Sequence, residues 1–293
     1  MTLGCNNPPV KLLYSHATSA EFSLPSMTNR IDRTFNTLRE RNESGFIAYF
    51  SAGDPNLAAT KPLALELEKT GVDILELGLP FSDPLADGIV NQLAAQRALE
   101  AGATVVGVMD SIRGIRAESQ IPIVLYTYLN PLFTMGFRKF HRMAEDAGVD
   151  GLLILDLPPE EDGLSDDLVA NTNLRHIRLI APTTPPERMA SITANAGGFI
   201  YYVSQEGVTG ERTSLAKSLP AQVAEIRKTT GLPISVGFGI STPEQARQVS
   251  QIADAVVVGS AIVKKIAEFG TDPNLPKKVA AALAPLVQAA KRK

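Results

Sequence analysis

The sequence is short of several things, and each shortage closes off a class of protein. A single cysteine, Cys5, in 293 residues leaves no internal disulfide framework and no multi-cysteine metal site. A reducing compartment suits such a chain, so the expected location is cytoplasmic. The three histidines, His16, His141 and His176, are scattered without ligand spacing, and no metal is assigned. No apolar run reaches the roughly 18 residues that cross a bilayer. The formal charge is only −3 and no long Lys/Arg cluster occurs, which argues against a nucleic-acid or membrane-surface partner. What remains is a protein that acts on a small molecule.

Apolar residues make up 44% of the chain and charged residues 20%, a globular balance with one substantial core. Length alone fits two average domains, or one α/β barrel of about 200 to 250 residues. Residues 1–26 offer only the cluster LLY where a secretory signal needs about 7 to 15 apolar residues. They read as a disordered leader, or as a segment before a true start at Met27. A transit peptide is the weaker alternative, since serine is plentiful there but arginine is absent. Residues 27–293 are the expected domain, opened by an N-terminal helix with Ile31, Phe35 and Leu38 on one face.

From residue 46 short aliphatic or β-branched runs alternate with longer amphipathic ones. The runs at 46–50, 72–78, 121–127, 150–156, 176–182, 198–204, 232–238 and 253–259 make eight strands. Their near-continuous apolar character fits strands buried on both faces. Helices are expected at 57–70, about 90–118 in two pieces, 137–147, 160–172, 185–195, 214–229, 243–251 and 260–268, with an Ala-rich C-terminal helix at 275–291. Eight βα units predict an α/β fold, a closed (β/α)8 TIM barrel. A doubly wound open sheet is the alternative, but its usual GxGxxG first turn is absent, the first turn here being SAGDP.

In a barrel the chemistry sits on the loops that follow the strands. After strand 2 comes ELGLPFSDPLADG (76–88), with three carboxylates. Glu76 lies between Leu75 and Leu77, where a carboxylate is costly to desolvate unless it is used or paired. Burial raises its pKa toward neutrality, as a general acid/base requires, yet a structural ion pair fits the position equally well. Asp87 is a candidate helix cap or a group held over the barrel mouth, and Asp83, before Pro84, reads as a turn builder. GFGIS (237–241) and VVVGSAIV (256–263) put glycines at the ends of strands 7 and 8, each leading into a helix, with Thr242 as a cap and Pro243 behind it. Loops at those two positions form the recurrent phosphate site of barrels, which points to a phosphate-bearing substrate. SQEGVTGERTS (204–214) suits a lid or a surface loop without a role. Tyr201, in strand 6, reads as core with a hydroxyl in need of a partner.

Taken in order, FIAYFSAGDP, ELGLPFSDPLADG, LYTYLNPLFTMG, GFIYYVSQEGVTG, VGFGISTPEQ and VVVGSAIV closely resemble the tryptophan synthase α subunit from about residue 29 to 268 and on through the last helix. The resemblance implies a lyase of tryptophan biosynthesis that cleaves indole-3-glycerol phosphate, by a retro-aldol step, to indole and glyceraldehyde 3-phosphate. By the same resemblance Glu76 matches the acid/base carboxylate, Asp87 the second catalytic carboxylate, and Tyr201 a tyrosine beside the first. Thr209 matches a lid threonine, and Gly210, Gly239, Gly259 and Ser260 match phosphate-holding positions. No cofactor is expected in this chain; pyridoxal phosphate (PLP) belongs to the β subunit that is the implied partner in an α2β2 complex. One departure stands out: Ile89 follows PLADG where the family usually has Pro, and Asn91 puts a polar group where an apolar one often lines the indole pocket. Competing readings are another phosphate-binding barrel, such as a sugar-phosphate isomerase or indole-glycerol phosphate synthase, and a pseudoenzyme α chain that only activates its partner. Indole-glycerol phosphate synthase needs a strand-end lysine, and no predicted strand contains one.

Overall fold

Eight short apolar runs pair in parallel, each with the next and the last with the first, to close a barrel in the order β1 to β8. The strands are β1 (Gly45–Ser51), β2 (Ile74–Gly78), β3 (Ile123–Thr127), β4 (Gly151–Ile154), β5 (Arg175–Ile180), β6 (Ile200–Val203), β7 (Ile234–Gly237) and β8 (Ala255–Val258). In this computed structural model the structure describes residues 29–158, 161, 172–203, 218–237 and 239–291. The helices are α1 (Arg30–Glu40), α2 (Leu57–Lys69), α3 (Ile89–Glu100), α4 (Val105–Arg116), α5 (Leu129–Met135), α6 (Phe137–Ala147), α7 (Pro186–Ala194), α8 (Leu219–Arg227), α9 (Pro243–Ser250), α10 (Ser260–Phe269) and α11 (Leu275–Lys291). The expected leader (1–26), the helix at 160–172 and the loop 204–214 lie outside the described residues, or nearly so. α5 is a helix where the sequence suggested only a loop. Its Pro131 falls in the first turn, where a missing N–H breaks no intrahelical bond.

The period-2 alternation of the strands divides the core in two. Phe46, Ala48 and Phe50 of β1, with Leu75 and Leu77 of β2, face outward against the helices. Ile47, Ile74, Val124, Leu153, Ile177 and Val257 face inward and fill the barrel. Register stacks that interior in layers: Ile47 pairs with Ile74, and one step up Tyr49 pairs with Glu76 and Glu76 with Val124. Glu76 therefore points along the axis side, directly above a wholly apolar layer.

α1 stoppers the opposite end. Its Ile31, Phe35 and Leu38 join the interior cluster, with the Phe35 and Phe199 rings 5.7 Å apart. Three such buried side chains contribute about 1.5 to 3 kcal/mol each. Asn29 fixes the entry: its side chain caps α1 by accepting from Ile31 N–H, and its amide donates to the Asp150 and Asn173 carbonyls. Gly151 makes room for the stopper, since a Cβ there would lie 2.9 Å from Ile31. With its floor closed, the barrel can open only at the C-terminal ends of its strands.

Candidate active site

At that open end lies a cavity of about 530 Å³ whose lining includes Glu76, Asp87, Tyr201, Gly239, Gly259 and Ser260. Six of the eight site residues expected from sequence thus come together, although they span four separate βα units. The other two, Thr209 and Gly210, lie outside the described residues. Tyr49, Asn91 and Tyr126 complete the inner wall, and Lys264, Lys265 and Glu268 stand on the α10 side.

Glu76 is 1% exposed, and its Oε1 has no hydrogen-bond partner among the described residues. An unpaired buried carboxylate favours its neutral form. Burial, and then the nearby negative charge of Asp87, push its pKa up to about 8. It therefore holds a proton at neutral pH and can release it at small cost.

Asp87 is buried as well but is differently furnished. The Tyr126 hydroxyl donates to its Oδ1 and the Tyr128 hydroxyl to its Oδ2, both at 2.8 Å, and Asn91 Nδ2 adds a long contact of 3.4 Å. Burial raises its pKa, while the donors Tyr128, Tyr126 and Asn91 pull it back down. The carboxylate is not the cap of α3: Gly88 occupies that position without a side-chain bond. Asn91 and Gln92 instead reach back to Asp87, to its side chain and its carbonyl respectively. Asn91, the departure noted in the sequence, thus turns its Nδ2 to Asp87, while its Oδ1 is buried with no hydrogen-bond partner among the described residues. Asp83 builds the loop, its carbonyl accepting Leu85 N–H and its carboxylate the Ser82 hydroxyl.

The tyrosines are neutral donors throughout the physiological range, because burial raises the pKa of Tyr49, Tyr126 and Tyr201. Glycines make space for two of them: a Cβ on Gly78 would lie 2.7 Å from the Tyr49 hydroxyl, and one on Gly237 2.4 Å from that of Tyr201. The two glycines of GFG thus do different work. Gly237 admits Tyr201, and Gly239 turns the chain at φ +80° beside the cavity.

Across from the carboxylates, α10 begins at the cavity wall with Gly259 as its N-cap and no side-chain cap bond. α9, by contrast, is closed by a complete capping box between Thr242 and Gln245. The uncapped N–H groups of α10, with the positive end of its dipole, can receive an anion. Tyr126 and Tyr128 escaped the sequence reading. Tyr126 shares the inward face of β3 with Val124, and Tyr128 follows two residues on as the N-cap of α5; that period-2 spacing was the available signal.

Fold and site together define a (β/α)8-barrel protein with a paired-carboxylate centre and an anion-receptive helix end at the mouth. The model of the family described as "Tryptophan synthase alpha chain" matches residues 35–292. A tryptophan synthase alpha chain of Opitutus terrae is 49% identical over 265 residues, covering 90% of this chain and all of that one. Among solved structures, tryptophan synthase subunit alpha of Legionella pneumophila superposes with TM-score 0.79 at 38% identity, covering 89% of this chain and 98% of that one. A chain of Mycobacterium tuberculosis tryptophan synthase gives TM-score 0.83 at 31% identity, covering 90% and 99%. The chain belongs to the tryptophan synthase alpha chain family. No helix among the described residues is long and apolar enough to cross a membrane, and no group of three or more His, Cys, Asp or Glu among them could hold a metal.

Proposed function

We propose that the chain cleaves indole-3-glycerol phosphate to indole and glyceraldehyde 3-phosphate, a carbon–carbon lyase step of tryptophan biosynthesis in the cytoplasm. The observation that carries this is Glu76, a buried carboxyl with a pKa of about 8 and an oxygen that meets no partner among the described residues, beside a second carboxylate that is held by donors.

Protonated Glu76 delivers its proton to indole C3. Positive charge then spreads to the ring nitrogen, and ionised Asp87 accepts the N–H hydrogen bond, which stabilises that charge. The bond from C3 to the glyceryl chain breaks, its electron pair restoring the aromatic ring. The adjacent hydroxyl gives its proton to Glu76, and its carbon becomes the aldehyde. One group thus donates and recovers one proton, so no external acid or base is consumed. Gly239, Gly259 and Ser260, at the mouth of the uncapped α10, are assigned to the phosphate, with Gly210. Thr209 and its loop are assigned to the lid.

The chain needs no cofactor of its own for this chemistry, and pyridoxal phosphate is assigned to a β-subunit partner in an α2β2 complex. The relatives' naming as an alpha chain supports such a partner. So do apolar side chains that the mouth leaves in water: Leu85 is 88% exposed on the loop after β2, and Phe133 71% on α5.

The test is to incubate the purified chain with indole-3-glycerol phosphate, with and without a β subunit, beside Glu76→Gln. Wild type is expected to release indole and the variant to lose about 100-fold or more. Equal release would remove Glu76 from the mechanism. No release even with the β subunit would favour the pseudoenzyme.

A further inference from the structure

We propose that Tyr126 is a positioning residue for this cleavage: from the barrel wall its hydroxyl aims the Asp87 carboxylate at the substrate ring. The inference rests on the reading just given and assigns a role that the family resemblance did not supply.

Asp87 sits at the end of a loop and is followed by Gly88, so nothing in its own backbone fixes the plane of its carboxylate. Two phenols do. Tyr128 Oη accepts Ala86 N–H at 3.0 Å and donates to Asp87 Oδ2, so it ties the loop backbone and one carboxylate oxygen to the end of β3. Tyr126 takes the other oxygen, Oδ1, at 2.8 Å, where Asn91 adds only a long contact of 3.4 Å, and so makes the second firm point that stops the group from turning. Its own position is rigid. It lies within β3 in register with Gly78 and Leu153, and the Tyr49 ring meets it edge-on at 4.9 Å. The aim of a loop residue is thereby set by a strand.

The same bond bears on charge. Around Asp87 stand Glu76 on β2, Tyr49 on β1, Tyr128 beside it and Tyr201 on β6, none of them a cation. The lysines of the cavity, Lys264 and Lys265, are on α10, and Lys265 pairs with Glu268 at 2.6 Å. The donors on its two oxygens are therefore what oppose burial and favour the carboxylate over the acid. Without Tyr126, Asp87 takes up a proton at a higher pH, and a protonated Asp87 no longer balances positive charge on the ring nitrogen.

Steady-state kinetics of the full chain with its β subunit tests this, with indole-3-glycerol phosphate as substrate across a pH series. Tyr126→Phe is expected to lower kcat about tenfold, to leave KM within about twofold, and to move the acidic limb of the profile to higher pH. Replacing Tyr126 by 3,5-difluorotyrosine, a stronger donor of nearly the same shape, moves that limb to lower pH and decides the matter if the phenylalanine variant does not fold. An unchanged kcat and acidic limb would overturn the proposal, and so would a rise in KM alone. A wild-type chain that releases no indole would sink the underlying reading instead.

Discussion

Asp150 and Glu76 are both buried carboxylates of the barrel, 3% and 1% exposed, and they could hardly be treated more differently. Asp150, at the floor just before β4, receives Arg30 at 2.8 Å on one oxygen, and Arg116 at 2.6 Å with Ile123 N–H on the other. Glu76, level with Gly151 and so one residue nearer the mouth in the strand register, has an oxygen that meets no donor among the described residues. Burial alone therefore says nothing about use. The difference lies in the partners: the floor neutralises its acid with two guanidinium groups, while the mouth leaves its acid to be neutralised by a proton.

Stability separates the two most sharply. Asp150→Asn keeps the shape but leaves the largely buried Arg116 with backbone carbonyls and no opposite charge, and is expected to cost about 3 kcal/mol or more. Thermal unfolding would show it as a lower Tm, with kcat per folded molecule retained. Glu76→Gln should do the reverse and raise Tm, because it removes a group that loses solvation on folding and gains no ion pair among the described residues. The sign follows from linkage. A carboxyl whose folded pKa is raised favours the folded state fully below its ordinary pKa of 4.5 and loses that contribution as pH climbs through about 8. The Tm advantage of Glu76→Gln over wild type should accordingly widen between those pH values. If both variants lost stability alike, the contrast between floor and mouth would fail.

Activity offers the next test. Because Glu76 must start protonated, kcat/KM should fall as pH rises through about 8, by about tenfold for each further unit. The Asp150→Asn variant, measured below its melting point, should keep that basic limb. A limb that moved with Asp150 would mean that the floor tunes the chemistry.

Much of this contrast is legible in the sequence. Near-continuous apolar runs marked all eight strands, and placing each glycine-rich or acidic loop after a strand located the mouth. The fold follows from local periodicity, which a single sequence carries in full. Glu76 stood out because its neighbours Leu75 and Leu77 are apolar, but whether it was paired remained open, since its layer mates Tyr49 and Val124 come from other strands. Asp87 shows the limit more clearly. Its partners Tyr126 and Tyr128 lie 39 and 41 residues away, at distances that only barrel closure brings to 2.8 Å. α5 was hidden for a different reason: Pro131 and Gly136 read as loop residues, yet both sit at helix ends, where each is tolerated.

The smallest expected effect uses the floor as its own control. Asp32, in the first turn of α1, pairs with Arg175 at 2.6 Å and so resembles the Arg30–Asp150 pair on a map of contacts. Its side chains are 27% and 33% exposed, however, and solvent and salt screen them. Asp32→Asn should cost less than about 1 kcal/mol, its helix-dipole share included, and the loss should shrink further in high salt. Thermal melts of Asp32→Asn and Asp150→Asn at low and high ionic strength put the two pairs on one scale. Equal losses would mean that α1 is held by ion pairs wherever they lie. A small, salt-sensitive loss beside a large, salt-insensitive one would place the floor's strength in the pair that water cannot reach, leaving the rest of the stopper to Ile31, Phe35 and Leu38.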